Sequence, residues 1–156
     1  GGSAGATTAM VMGYVAVGEG ESGSPGESSE VRAVVAISDA LRDGGGCMRR
    51  DASGKPQDCR AGGLFQDRTG DIDGRVLPRQ PALCTVVGTE DVVVFPTDTL
   101  KCHSRANGTG LSSSLIYIEG ADHIPYMELV TEYSHELTDF LYKALDLGSV
   151  PCPKRG

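Results

Sequence analysis

Three residues able to share one reaction lie along this chain in a defined order: Ser3, Asp91 and His123. Ser3 sits in Gly1-Gly2-Ser3-Ala4-Gly5, a G-x-S-x-G pattern. The residues after it, from Ala6 to Val15, are small and then apolar, which predicts a helix. A serine on a tight turn into a helix projects its hydroxyl, and glycines beside it allow close backbone approach. The helix start adds partial positive charge and free N–H groups, so the Ala4 N–H is a candidate oxyanion donor. A serine hydroxyl is a poor nucleophile at neutral pH and needs a base; an imidazole base needs an acid to fix its tautomer. His123 and Asp91 would fill those two roles. The pentapeptide by itself carries little weight, because 22 of the 156 residues are glycine.

Rivals exist for each partner. Glu90 adjoins Asp91, but the G-x-x-D spacing from Gly88 favours Asp91. Asp39, at the end of an apolar run, is a further candidate acid. Asp122 precedes His123 and reads as a loop-fixing side chain. The other histidines, His103 on a polar helix end and His135 beside Glu136, read as surface or packing residues.

The elements that must hold these groups can be read from periodicity. Residues 4 to about 18 predict a helix, apolar nearly all round and so buried. Residues from about 19 to 30 form a Gly/Ser/Glu insertion that cannot bury a core. Val31–Ser38 and Pro81–Gly88 are continuous β-branched runs, as expected of strands covered on both faces. Between them, about 40–80 is irregular and lid-like. Pro96 to about Ala106 predicts a short helix, and Ser114–Ile118 a third strand. Tyr126 to about Leu147 predicts one long helix, with Val130, Tyr133, Leu137, Phe140, Leu141 and Ala144 as its apolar stripe. Alternating strands and helices indicate an α/β fold with a doubly wound parallel sheet. All three candidate residues then fall where open parallel sheets gather reactive groups, beyond the carboxyl ends of strands or on the elbow.

A net charge of −7 with no basic stripe argues against nucleic-acid binding, and no apolar run approaches the length of a membrane span. Five cysteines occur, at 47, 59, 84, 102 and 152. Without a C-x-x-C pair, no metal site is expected, and no cofactor is implied. Cys84 reads as a buried small hydrophobe, Cys47 with Cys59 as a bridge, and Cys102 with Cys152 as a second pairing. Asn107-Gly108-Thr109 is a glycosylation sequon on an expected surface turn. Loop cysteines and a sequon favour a secreted, extracellular setting.

At this point the chain resembles the α/β-hydrolase superfamily, in its carboxylesterase, lipase and feruloyl-esterase-like branch. VRAVVAIS, PALCTVVGTEDVVV and SLIYIEGADHIPY resemble the family's sixth strand, seventh strand with acid turn, and eighth strand with histidine loop. The resemblance covers residues 1–156 apart from the two insertions. It implies the C-terminal half of the hydrolase sheet, about three parallel strands with flanking helices. The chain starts in mid-motif, so the N-terminal strands, and the loop giving the second oxyanion donor, are expected elsewhere in the same precursor or on an associated chain. The implied activity is cleavage of a small-molecule or polymer ester by Ser3, His123 and Asp91 through an acyl-enzyme. A peptidase of the same fold, or a catalytically silent structural or binding module of an extracellular assembly, remains open.

Overall fold

Ala82–Gly88 (β2) forms the middle of the sheet because both its faces can be buried; every residue after Ala82 is. It pairs in parallel with Ala33–Ile37 (β1) on one side and Ser113–Ile118 (β3) on the other. The sheet order is β1-β2-β3. In this computed structural model, residues 1–14, 31–39, 81–108 and 110–148 are described. The insertion at 19–30, the excursion at 40–80 and Cys47, Cys59 and Cys152 lie outside them.

Side chains alternate across the pleat, so β1 and β2 feed two cores, while β3 feeds one of them through Ile116 and Ile118. Val34, Ala36 and Leu83 pack with Ala6, Met10 and Tyr14 of Ala4–Tyr14 (α1) and with Cys102 and Ala106 of Pro96–Gly108 (α2). Ile37, Cys84, Val86, Ile116 and Ile118 face the other way, onto Leu129 of Tyr126–Thr131 (α3) and Phe140 of Ser134–Ala144 (α4). The result is helices on both faces of a parallel sheet, as expected.

The first three residues continue this sheet. The Gly1 amino group donates to the Val35 carbonyl at 2.8 Å, Ile37 N–H to the Gly1 carbonyl at 2.9 Å, and Ser3 N–H to the Ile37 carbonyl at 2.8 Å. Gly2 bridges Ile37 in parallel. The elbow is therefore registered on β1, one strand removed from the acid turn.

Four expectations need correction. The long C-terminal helix is two helices: the Tyr133 N–H bonds the Glu128 carbonyl, five residues back, which ends the regular ladder. The break turns Tyr133 into the core beside Leu137, Leu141 and Ala144 and leaves Val130 55% exposed. Helix α1 buries one face, and Met12 stands half-exposed. Cys102 is a free buried thiol, because α2 turns it into the core under β1 and β2 rather than toward a chain end. Cys84 is also free, and its burial pushes the thiol pKa up to about 12, as suits an inert small hydrophobe. Asn107 is exposed, on the last turn of α2 and not in a surface turn.

Candidate active site

Helix α1 begins directly after Ser3: the Ala6 and Thr7 N–H groups both donate to the Ser3 carbonyl, at 2.9 and 3.2 Å. Ser3 has φ +52°, a backbone conformation that L-residues seldom adopt. The tight turn needs glycine on one side only. A Cβ at Gly1 would lie 2.3 Å from the Gly5 carbonyl oxygen, and a Cβ at Gly2 would lie 2.6 Å from the Tyr126 hydroxyl. Gly5 itself faces open space. The Ala4 N–H opens the helix and takes no acceptor among the described residues.

The acid turn and the histidine loop are laced together by the backbone. Thr89 N–H donates to the Ile118 carbonyl at 3.0 Å, Glu90 N–H to the Ala121 carbonyl at 2.9 Å, and Gly120 N–H to the Thr89 hydroxyl at 2.8 Å. Gly88 makes this possible, since a Cβ there would sit 2.2 Å from the Ala121 carbonyl oxygen. The turn carries Asp91 inward, 2% exposed, and leaves Glu90 in solvent.

Asp91 meets His123. Nδ1 of His123 lies 2.9 Å from one carboxylate oxygen and 3.1 Å from the other. Burial alone would raise the Asp91 pKa. Hydrogen bonds from His123, the Val94 N–H, the Ser38 hydroxyl and the Val93 N–H outweigh it and hold the carboxyl below its ordinary value. The two N–H groups reach one oxygen at 2.8 and 2.9 Å. An ionised carboxylate only accepts, so His123 donates from Nδ1, and in the neutral ring Nε2 is then the acceptor. Asp122 fixes the loop, as expected, by accepting the His123 N–H at 2.6 Å.

The loop then docks on the elbow. Ile124 and Tyr126, on the far side of His123, are the side chains that crowd Gly2 next to Ser3. Ser3, Asp91 and His123 are thus gathered at one corner of the sheet. No hydrogen bond joins the Ser3 hydroxyl to His123 in this conformation.

The rivals lie elsewhere. The Asp39 carboxylate meets the Cys102 thiol of α2, whose pKa is raised by burial first and by Asp39 second. His103 is tied to Ser113 and Asn107, and His135 is exposed on α4. Among the described residues no group of three His, Cys, Asp or Glu could hold a metal. Two site residues escaped the sequence reading. Ser38 reads only as the end of a strand, and Tyr126 only as a helix start; their signal is proximity in space to Asp91 and Gly2.

No family model matches the sequence, and no curated protein matches it either. Solved structures do. Native esterase 2 of the planctomycete Thermogutta terrifontis is 22% identical, with a TM-score of 0.57, over 100% of this chain and 56% of that one. The same esterase phosphonylated by cyclosarin gives 19% identity and a TM-score of 0.55, over 97% of this chain and 55% of that one. A truncated carbohydrate esterase from gut microbiota gives 20% identity and a TM-score of 0.52, over 89% and 54%. The chain spans about half the length of the esterases it matches. The three parallel strands and flanking helices of the described residues have the fold of part of an α/β-hydrolase.

Proposed function

We propose that the protein carrying this chain is a serine hydrolase that cleaves carboxylic esters through an acyl-enzyme intermediate. The observation that carries this reading is the buried, ionised Asp91 on Nδ1 of His123, in a loop that packs against the residue before Ser3. In this mechanism His123 Nε2 takes the Ser3 hydroxyl proton as Oγ attacks the ester carbonyl. The tetrahedral oxyanion is held by the Ala4 N–H, and a second donor comes from outside the described residues. His123 then returns the proton to the leaving alcohol, and water repeats the cycle on the acyl-enzyme. Asp91 holds the tautomer and stabilises the imidazolium. This chain spans about half the length of the matched esterases, so the activity is proposed for the intact protein.

One observation favours a second reading, a catalytically silent module built on the same fold: the Ser3 hydroxyl does not bond His123. Catalytic hydrogen bonds are often unmade before substrate binds, so the enzyme accommodates the same observation. A fluorophosphonate probe on the intact protein decides between them. Labelling at Ser3, abolished by Ser3→Ala and by His123→Ala, is expected. A well-folded intact protein that takes no label would be the silent module.

A further inference from the structure

We propose that Ser38 is a positioning residue for the acid and base, its hydroxyl bridging the Asp91 carboxylate and the backbone that carries His123. The inference rests on the triad reading above and assigns a fourth side chain to it.

Ser38 follows β1 and is fully buried. Its own N–H donates to the Val86 carbonyl at 2.8 Å, which pins it beside β2 just before the acid turn. Its hydroxyl has two polar neighbours: the Ile124 N–H, 3.0 Å from Oγ, and the Asp91 carboxylate. The direction of each bond follows from proton count. Ile124 N–H can only donate, and ionised Asp91 can only accept. Ser38 Oγ therefore accepts the Ile124 N–H on a lone pair and donates its single O–H to Asp91. The bonds close a ring: Asp91 to His123 Nδ1, along the backbone to Ile124, to Ser38, and back to Asp91.

The ring holds a conformation that the chain would otherwise avoid. Ile124 has φ +57°, although it is β-branched, and Ser38 has φ +49°. Such backbone persists where the surroundings over-determine it. Here both unusual residues are joined by one hydrogen bond, and Ile124 is the residue directly after His123. Losing the Ser38 hydroxyl removes a donor from the carboxylate and also frees the peptide that aims the imidazole.

The test compares Ser38→Ala, Ser38→Gly and Ser38→Cys in the intact protein, with active sites counted by burst titration. Glycine adopts positive φ without strain, so it separates the hydroxyl from the backbone shape. Both Ala and Gly variants should lose roughly 10- to 100-fold in kcat, the effect of one hydrogen bond to a charged group, with KM unchanged. The downfield proton signal of His123 Nδ1–H should broaden or move. The Cys variant, a weak donor, should recover part of the rate. Ala and Gly variants with wild-type kcat and an unmoved Nδ1–H signal would overturn the role of Ser38, while loss of fluorophosphonate labelling in His123→Ala would leave the triad standing. A wild-type protein that takes no label, or an Asp91→Asn variant with full activity, would overturn the triad and the role of Ser38 together.

Discussion

Strand β3 has a histidine at each end, and the two are wired differently. At its carboxyl end the chain turns into the loop of His123. At its amino end Ser113 receives His103 from α2. Both rings are half-buried. His103 has both nitrogens engaged by neutral partners: Nδ1 with the Ser113 hydroxyl at 2.6 Å, and Nε2 with the Asn107 amide at 3.0 Å. Burial holds its pKa below the ordinary histidine value, so it is neutral at pH 7. His123 has Nδ1 on a carboxylate, and Nε2 makes no hydrogen bond among the described residues. Burial and residue type are shared. What distinguishes a candidate base is one nitrogen anchored by negative charge and the other open toward the nucleophile's corner.

The largest expected effect tests that distinction directly. Asp91→Asn keeps the shape but removes the charge, and it permits the wrong tautomer. It should lower kcat for ester hydrolysis by about 10⁴-fold, whereas His103→Gln should leave kcat at the wild-type level. Equal losses in both variants would mean that the carboxylate is not what separates the two histidines. Asp91 also makes a signed prediction for stability. Its folded pKa lies below its unfolded value of about 3.9. The stability it contributes is present above that unfolded value and disappears as pH falls through the lowered folded value. Acid unfolding followed by circular dichroism should therefore lose a component in Asp91→Asn.

Much of this contrast was legible in the sequence, and the reasons differ by element. β1 and β2 showed as continuous apolar runs because both their faces are covered. Asp91 and His123 showed because the carboxyl end of a parallel strand is where a side chain can leave the sheet. The spacing from Gly88 favours Asp91 over Glu90, and the structure sets Asp91 against His123 and Glu90 in solvent. The break at Glu132 and Tyr133 was hidden, since Val130 and Tyr133 keep helical spacing although only Tyr133 packs inward. The free state of Cys102 was hidden too, because sequence proximity says nothing of which face of α2 it takes. Ser38 could not be found by pattern at all: its partners, Asp91 and Ile124, are 53 and 86 residues away along the chain.

Gly88 and Gly5 offer a smaller test of where the corner is tight. Both flank a candidate catalytic residue. Gly88→Ala drives a Cβ into the Ala121 carbonyl oxygen, an obstacle on the backbone that cannot rotate away. It should destabilise by about 1–3 kcal/mol, as overpacking does, and should separate the acid turn from the histidine loop. Gly5→Ala meets nothing within 4 Å and lies in the first turn of α1. It should be neutral or stabilising by up to ~1 kcal/mol, through helix propensity and the entropy of the unfolded chain. Thermal melts of the intact protein measure both. Similar losses in the two variants would contradict the contrast between the tight approach at Gly88 and the open setting of Gly5.

The smallest effect concerns the other end of β3. Because burial lowers the folded pKa of His103 from 6.5, the unfolded chain binds more protons in the window between the two values. Stability from this residue therefore rises with pH across that window, is complete above about 6.5, and is lost as pH falls toward the folded value. His103→Gln can still bond a hydroxyl and an amide but cannot take up the proton. Melting temperatures at about pH 5 and about pH 8 should differ less in His103→Gln than in the wild type. The kinetic parameters at pH 8 should not move. A change in kcat there would mean that the amino end of β3 is coupled to the corner at its carboxyl end, and that the two histidines are not independent.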